Sequence, residues 1–192
     1  MSSKETKLTS FNYSEVNLPM LKYLTLARSP LSNFHGSYPH LTALDLSRTN
    51  LTEFDSNTMY LPKLEHLKLD GTPIKRLTLV GVMSQLRHMS IKNTSLTEFN
   101  TSDFKTPMLG VLFLDKTPIQ NVDFTKGIES VRILHMRYTA LTGFVADNFN
   151  LSKLEFLNFG GTLLSRVYTC DFLDDFPDDF CRLLKSHGKS HV

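Results

Sequence analysis

The feature that most constrains this chain is a short segment that keeps returning. From Leu64 to Leu77 it reads LEHLKLDGTPIKRL, with apolar residues at Leu64, Leu67 and Leu69, a turn at Thr72, and a second apolar register at Ile74 and Leu77. The same template starts at Leu21 (LKYLTLARSPLSNF), Leu41 (LTALDLSRTNLTEF), Leu86 (LRHMSIKNTSLTEF), Leu109 (LGVLFLDKTPIQNV), Val131 (VRILHMRYTALTGF) and Leu154 (LEFLNFGGTLLSRV). Successive starts lie 20, 23, 22, 23, 22 and 23 residues apart. Self-similarity at such a period marks a solenoid, in which each unit buries its apolar face only against its neighbours.

Laying the chain on this period predicts its organisation. Thr6 to Phe11 matches Thr49 to Phe54, and the same fifteen residues separate Thr6 from Leu21 and Thr49 from Leu64. Residues 1–20 are therefore expected to be a partial repeat lacking its strand half, which suggests a fragment of a longer protein. Residues 21–169 hold seven repeats, and 170–192 form a C-terminal cap and basic tail. In that cap Phe180, Leu183 and Leu184 recur at helical spacing, with Asp174 or Asp175 as N-cap and Pro177 in the first turn.

The repeats also alternate. Those starting at 41, 86 and 131 carry TNLTEF, TSLTEF and TALTGF; those starting at 64, 109 and 154 carry TPIKRL, TPIQNV and TLLSRV. The larger unit is thus 45 residues, with Phe54, Phe99 and Phe144 filling the core of every other coil.

Each repeat opens with apolar and polar residues alternating around Leu-x-Leu, the pattern of a short strand. Stacked coils would set these strands in parallel, about 4.8 Å apart. Ser29, Thr49, Thr72, Thr94, Thr117, Thr139 and Thr162 fall at one turn position, where a hydroxyl can satisfy backbone groups. The return connections, about a dozen residues long, leave room for turns or single helical coils.

Composition narrows the function. A net charge of +2 gives no argument for nucleic acid, and no apolar run approaches the roughly 18 residues that would span a membrane. The N-terminus lacks the apolar core of a signal peptide, which taken alone suggests the cytosol. Five Asn-x-Ser/Thr triplets point towards secretion, with Asn50, Asn100 and Asn150 as glycosylation candidates. Cys170 and Cys181 are the only cysteines. In an oxidising compartment they would pair and staple the cap; in the cytosol both would stay reduced.

No nucleophile–base set, phosphate loop or paired carboxylates stand out, so an enzyme is not expected, nor a cofactor or a metal. His66 and His88 share a strand position in adjacent coils, and His135 lies two coils on, but zinc would need a third ligand. What varies is the face between the leucines. One column reads Tyr23, Ala43, His66, His88, Val111, Ile133, Phe156. The next reads Thr25, Asp45, Lys68, Ser90, Phe113, His135, Asn158, and a third Ala27, Ser47, Asp70, Lys92, Asp115, Arg137, Gly160. The apolar and aromatic residues gather towards the C-terminal half, with Tyr138 beside Arg137. Aromatics and arginine dominate interface hot spots, and exposed apolar patches mark partners. The expected partner-binding residues are Tyr23, Asp45, His66, Lys68, Asp70, His88, Lys92, Phe113, Asp115, His135, Arg137, Tyr138 and Phe156.

The seven Leu-x-x-Leu-x-Leu starts in register over residues 6–167 resemble the leucine-rich repeat family in its short-repeat form. That resemblance implies an α/β horseshoe: a parallel concave sheet, short convex turns or helical coils, a helical C-terminal cap, and recognition of a protein or other macromolecule without catalysis. The Phe closing TNLTEF is similar to extracellular animal repeats, such as those of Toll-like receptors and secreted insect immune proteins, although their multi-cysteine caps are missing here. An extracellular receptor, immune or adhesion module is the first expectation and an intracellular scaffold or adaptor the alternative. Oligomeric state is not written in the sequence.

Overall fold

The computed structural model describes residues 7–12, 18–79, 83–102, 104–124, 126–145, 152–164 and 166–168. They wind into a parallel β-solenoid. Its main sheet has seven strands in spatial order along the chain: Tyr23–Thr25, Ala43–Asp45, His66–Lys68, His88–Ser90, Val111–Phe113, Ile133–His135 and Phe156–Asn158. Every neighbouring pair is in parallel register on the template, Leu44 against Leu67 and Leu67 against Met89, for example. The template leucines turn inward: Leu64, Leu69, Leu86, Leu109, Leu112, Leu114 and Leu134 are all fully buried.

The turn after each main strand is built the same way seven times. The hydroxyl of Ser29, Thr49, Thr72, Thr94, Thr117, Thr139 and Thr162 donates to the carbonyl three residues earlier, at 2.6 to 3.2 Å. The residue just before each hydroxyl adopts positive φ: Arg28, Arg48, Gly71, Asn93, Lys116, Tyr138 and Gly161. Only two of the seven are glycine, although a left-handed backbone costs other residues roughly 1–2 kcal/mol. The conformation is held because it extends the ladder past the strand end. The Arg48 N–H donates to the Asp70 carbonyl at 2.7 Å, Lys116 to Arg137 at 2.7 Å and Tyr138 to Gly160 at 2.9 Å.

The other side of the coil departs from the expected horseshoe. Among the described residues there is no α-helix, and the one helical turn is a 3-10 segment at Ser56–Thr58, capped by the Asp55 side chain. The connections expected as turns or helical coils contain further short parallel strands instead: Glu53–Asp55 pairs with Arg76–Thr78, Glu98–Asn100 with Asn121–Asp123, and Gly143–Val145 with Arg166–Tyr168. Near the N-terminus Ser10–Asn12, Asn33–Ser37 and Met59–Tyr60 form a three-stranded group. Among the described residues the α/β assignment is therefore corrected to all-β. The horseshoe is not supported either, because among the described residues no α-helix on the return side widens that side of the coil relative to the main sheet. The helical cap expected at 170–192, with Cys170 and Cys181, lies outside the described residues.

The 45-residue unit is visible as alternating hydrogen bonding. Within a pair of coils Lys75 N donates to Thr52 O and Gln120 N to Thr97 O; between pairs the bond moves to Ser95 N and Ile74 O, or Asn50 N and Leu31 O. In the pairs that start at Leu41 and Leu86 a Phe faces an aliphatic residue, Phe54 opposite Leu77 and Phe99 opposite Val122, whereas near the N-terminus Phe11 faces Phe34. Phe54, Phe99 and Phe144 are all buried. As expected they do not stack on one another. Phe99 packs edge-on against Phe104 and Phe124, at 5.6 and 6.0 Å between ring centres, and Phe144 against Phe159 at 4.8 Å.

Candidate interaction face on the main sheet

The pleat that turns the leucines inward turns the residues between them outward, and strand pairing sets those residues in files across the sheet. Tyr23, Ala43, His66, His88, Val111, Ile133 and Phe156 are consecutive partners, as are Thr25, Asp45, Lys68, Ser90, Phe113, His135 and Asn158. Buried leucines in unbroken parallel register, closed by the hydroxyl turn, make the described residues a parallel-strand solenoid of leucine-rich coils.

In the C-terminal half of this sheet, side chains converge into one surface. The His135 ring lies between Phe113 and Phe156, at 4.8 and 5.1 Å between centres. The Lys92 ammonium sits 5.0 Å above the Phe113 ring, and the Arg137 guanidinium lies 5.4 Å from the Tyr138 ring, both within cation–π range. Phe156 and Tyr138 are 47% and 54% exposed, so the cluster is open to a partner. Arg137 and Tyr138 rest against the Gly160-Gly161 pair. A Cβ at Gly161 would collide with the Tyr138 ring, and one at Gly160 would touch the Arg137 stem at 4.0 Å. The double glycine is a floor shaped for these two side chains.

The carboxylates expected in the interface are partly committed elsewhere. Asp70 Oδ1 accepts from the Ser90 hydroxyl at 2.6 Å and from Lys92 N at 2.8 Å. Asp115 Oδ1 accepts from Arg137 N at 2.8 Å, and its Oδ2 lies 3.8 Å from His135 Nδ1. Forty-five residues apart, the two make the same stitch from one coil to the next. They orient Lys92 and Arg137 by holding their backbones.

In the N-terminal half His66 and His88 stack at 4.6 Å between ring centres. Burial, with help from His66 and then Arg87, lowers the His88 pKa below its ordinary 6.5. Among the described residues no group of three or more His, Cys, Asp or Glu could hold a metal ion. Tyr23, Asp45, His66 and Lys68 line a cleft of about 310 Å³ over Ala43. The sequence reading named Ala43 only as a member of its column; its smallness among large neighbours was the available signal. Asn50 and Asn100 are exposed, and Asn100 Oδ1 accepts from Ser102 N at 2.8 Å. Asn150 lies outside the described residues. Also among the described residues, no helix is long and apolar enough to cross a membrane.

No family model matches the sequence, and no curated protein matches it. Among solved structures, this chain is similar to a chain in the crystal structure of the LRIM1/APL1C complex, with a TM-score of 0.43 and 16% identity. The match covers 80% of this chain and 41% of that one.

Proposed function

We propose that this protein is a non-catalytic recognition module whose main sheet binds a protein partner through the cluster of Lys92, Phe113, His135, Arg137, Tyr138 and Phe156. The observation that carries the reading is the ring cluster Phe113–His135–Phe156, drawn from two adjacent files, left open on a sheet face and flanked by two cations. Aromatic rings are stiff and apolar, and arginine adds directional hydrogen bonds, so such a surface yields binding energy at small entropic cost. Phe113→Ala or Arg137→Ala should each weaken partner binding by about 1–2 kcal/mol, with an unchanged denaturation midpoint. Tyr60→Ala, at an exposed site off the main sheet, should leave binding as it was. Equal binding by all three variants would move the interface off this sheet.

The setting we propose is an extracellular receptor or a secreted immune or adhesion protein, supported by exposed Asn50 and Asn100 within glycosylation triplets. Intact mass of the native protein, with and without deglycosidase and reductant, tests it. Glycan mass and a Cys170–Cys181 bond are expected. An unmodified chain with two free thiols would instead indicate an intracellular scaffold.

A further inference from the structure

The cleft over Ala43 interrupts the outward file. On one side His66 stacks on His88 at 4.6 Å; on the other Tyr23 stands 73% exposed. Between them Ala43 offers only a methyl group. Tyr23 and His66 are therefore two strands apart, roughly 9.6 Å at the usual spacing, a gap that admits one flat group with about a strand's width to each ring. Asp45 and Lys68 border the same cleft. Asp45 Oδ1 accepts from Ser47 N at 2.9 Å. Among the described residues its other oxygen has no hydrogen-bond donor or ion pair, and Lys68 makes no salt bridge with it.

We infer that this cleft is a slot for the guanidinium of an arginine side chain on the protein partner, seated over Ala43 between Tyr23 and His66 and hydrogen-bonded to the open oxygen of Asp45. The inference rests on the reading of the main sheet as a recognition face and adds a second anchor to it. The chemistry selects arginine. The rings ask for a flat group, the Tyr23 π-face and the Asp45 carboxylate ask for positive charge, and guanidinium alone among side chains combines planarity, permanent charge and forked donors. A lysine ammonium would meet the charge but not the plane. The Lys68 ammonium opposes the charge, and its long stem lets it swing away; the sign of its effect is accordingly part of the test.

N-acetyl-arginine N-methylamide, titrated into the full chain and followed through the Ala43 methyl and Tyr23 ring NMR signals, reads the slot directly. Saturable shifts at these two residues are expected, at least about tenfold weaker with the neutral citrulline analogue, the difference of about 1.4 kcal/mol that a charged hydrogen bond supplies. The lysine analogue should fall between. Ala43→Leu, which fills the slot, and Asp45→Asn, which keeps an acceptor for Ser47 N, should both abolish or sharply weaken the shifts; Lys68→Met should strengthen them. Denaturation midpoints confirm that each variant folds. Absent shifts in the wild-type chain, equal response to citrulline, or tighter binding of N-acetyl-aspartate N-methylamide would overturn the slot. The outcome is separable from the broader reading: if the probe fails while Phe113→Ala and Arg137→Ala still lose the partner, the face stands and only the slot falls.

Discussion

A threonine hydroxyl in each turn does a job that depends on a single proton. In Thr72 and Thr117 the group is buried and donates to the Leu69 and Leu114 carbonyls, both at 2.7 Å. Thr72→Val keeps the shape and deletes the donor, so a loss of about 1 kcal/mol is expected in denaturant unfolding. The preceding position predicts the opposite sign. Lys116 is exposed and held at φ 58, and Lys116→Gly should raise stability by up to about 1 kcal/mol through relief of the left-handed penalty. His88 contributes a pH dependence. Its folded pKa is lowered, mainly by burial, so below about 6.5 the unfolded chain takes up the proton first. The stability tied to neutral His88 is thus present above that pH and is lost as pH falls through the lowered value. Melting temperature should drop over this window in the wild-type chain and fall less in His88→Gln. These residues show what sequence can disclose. The hydroxyl position was legible because it recurs. The left-handed position was not, because five different non-glycine residues occupy it and only the shared backbone path unites them. The commitments of Asp70 and Asp115 were hidden too, since a carboxylate's choice depends on which amide of the next coil lies within reach.

At the scale of elements, the main-sheet strands followed from alternation around each Leu-x-Leu, and their register from the constant offset between starts. The outward columns came with them, and so did the gathering of Val111, Phe113, Ile133, Tyr138 and Phe156 beside Arg137; the seat of His135 between the Phe113 and Phe156 rings did not, because it is a contact across two columns. The return side was misjudged for a specific reason. Segments such as Glu-Phe-Asp at 53–55 and Asn-Val-Asp at 121–123 are three residues long, too short for periodicity to separate strand from helix. What decides is pairing with the neighbouring coil, Phe99 against Val122 and Phe54 against Leu77, and that is a tertiary event. The Phe positions carry much of the packing. Phe99→Ala should cost about 3–5 kcal/mol, because its ring fills the space between Phe104 and Phe124. A measured loss below about 1 kcal/mol would mean that the Phe104 and Phe124 rings close over the gap.

For the whole molecule, a solenoid's stability is close to a sum of coils and their interfaces, with no contact between distant coils to average out a local defect. The alternation of bonding on the return side then has a consequence for how such a chain can change in length. If coils are bonded in twos, the unit that can be added or removed without mismatched surfaces is 45 residues, one Phe coil with its aliphatic companion. Deleting 86–130 would bring Gln85 to Val131 and rebuild the joint of the parent between an aliphatic coil and a Phe coil, so a shortened, cooperatively folding protein is expected. Deleting 109–130 alone would set two Phe coils side by side, a juxtaposition the parent makes only at Phe11 and Phe34, and that chain should be less stable than the one shortened by 45 residues. The countable step in this architecture is the pair, and a lineage of such proteins would lengthen by even numbers of turns.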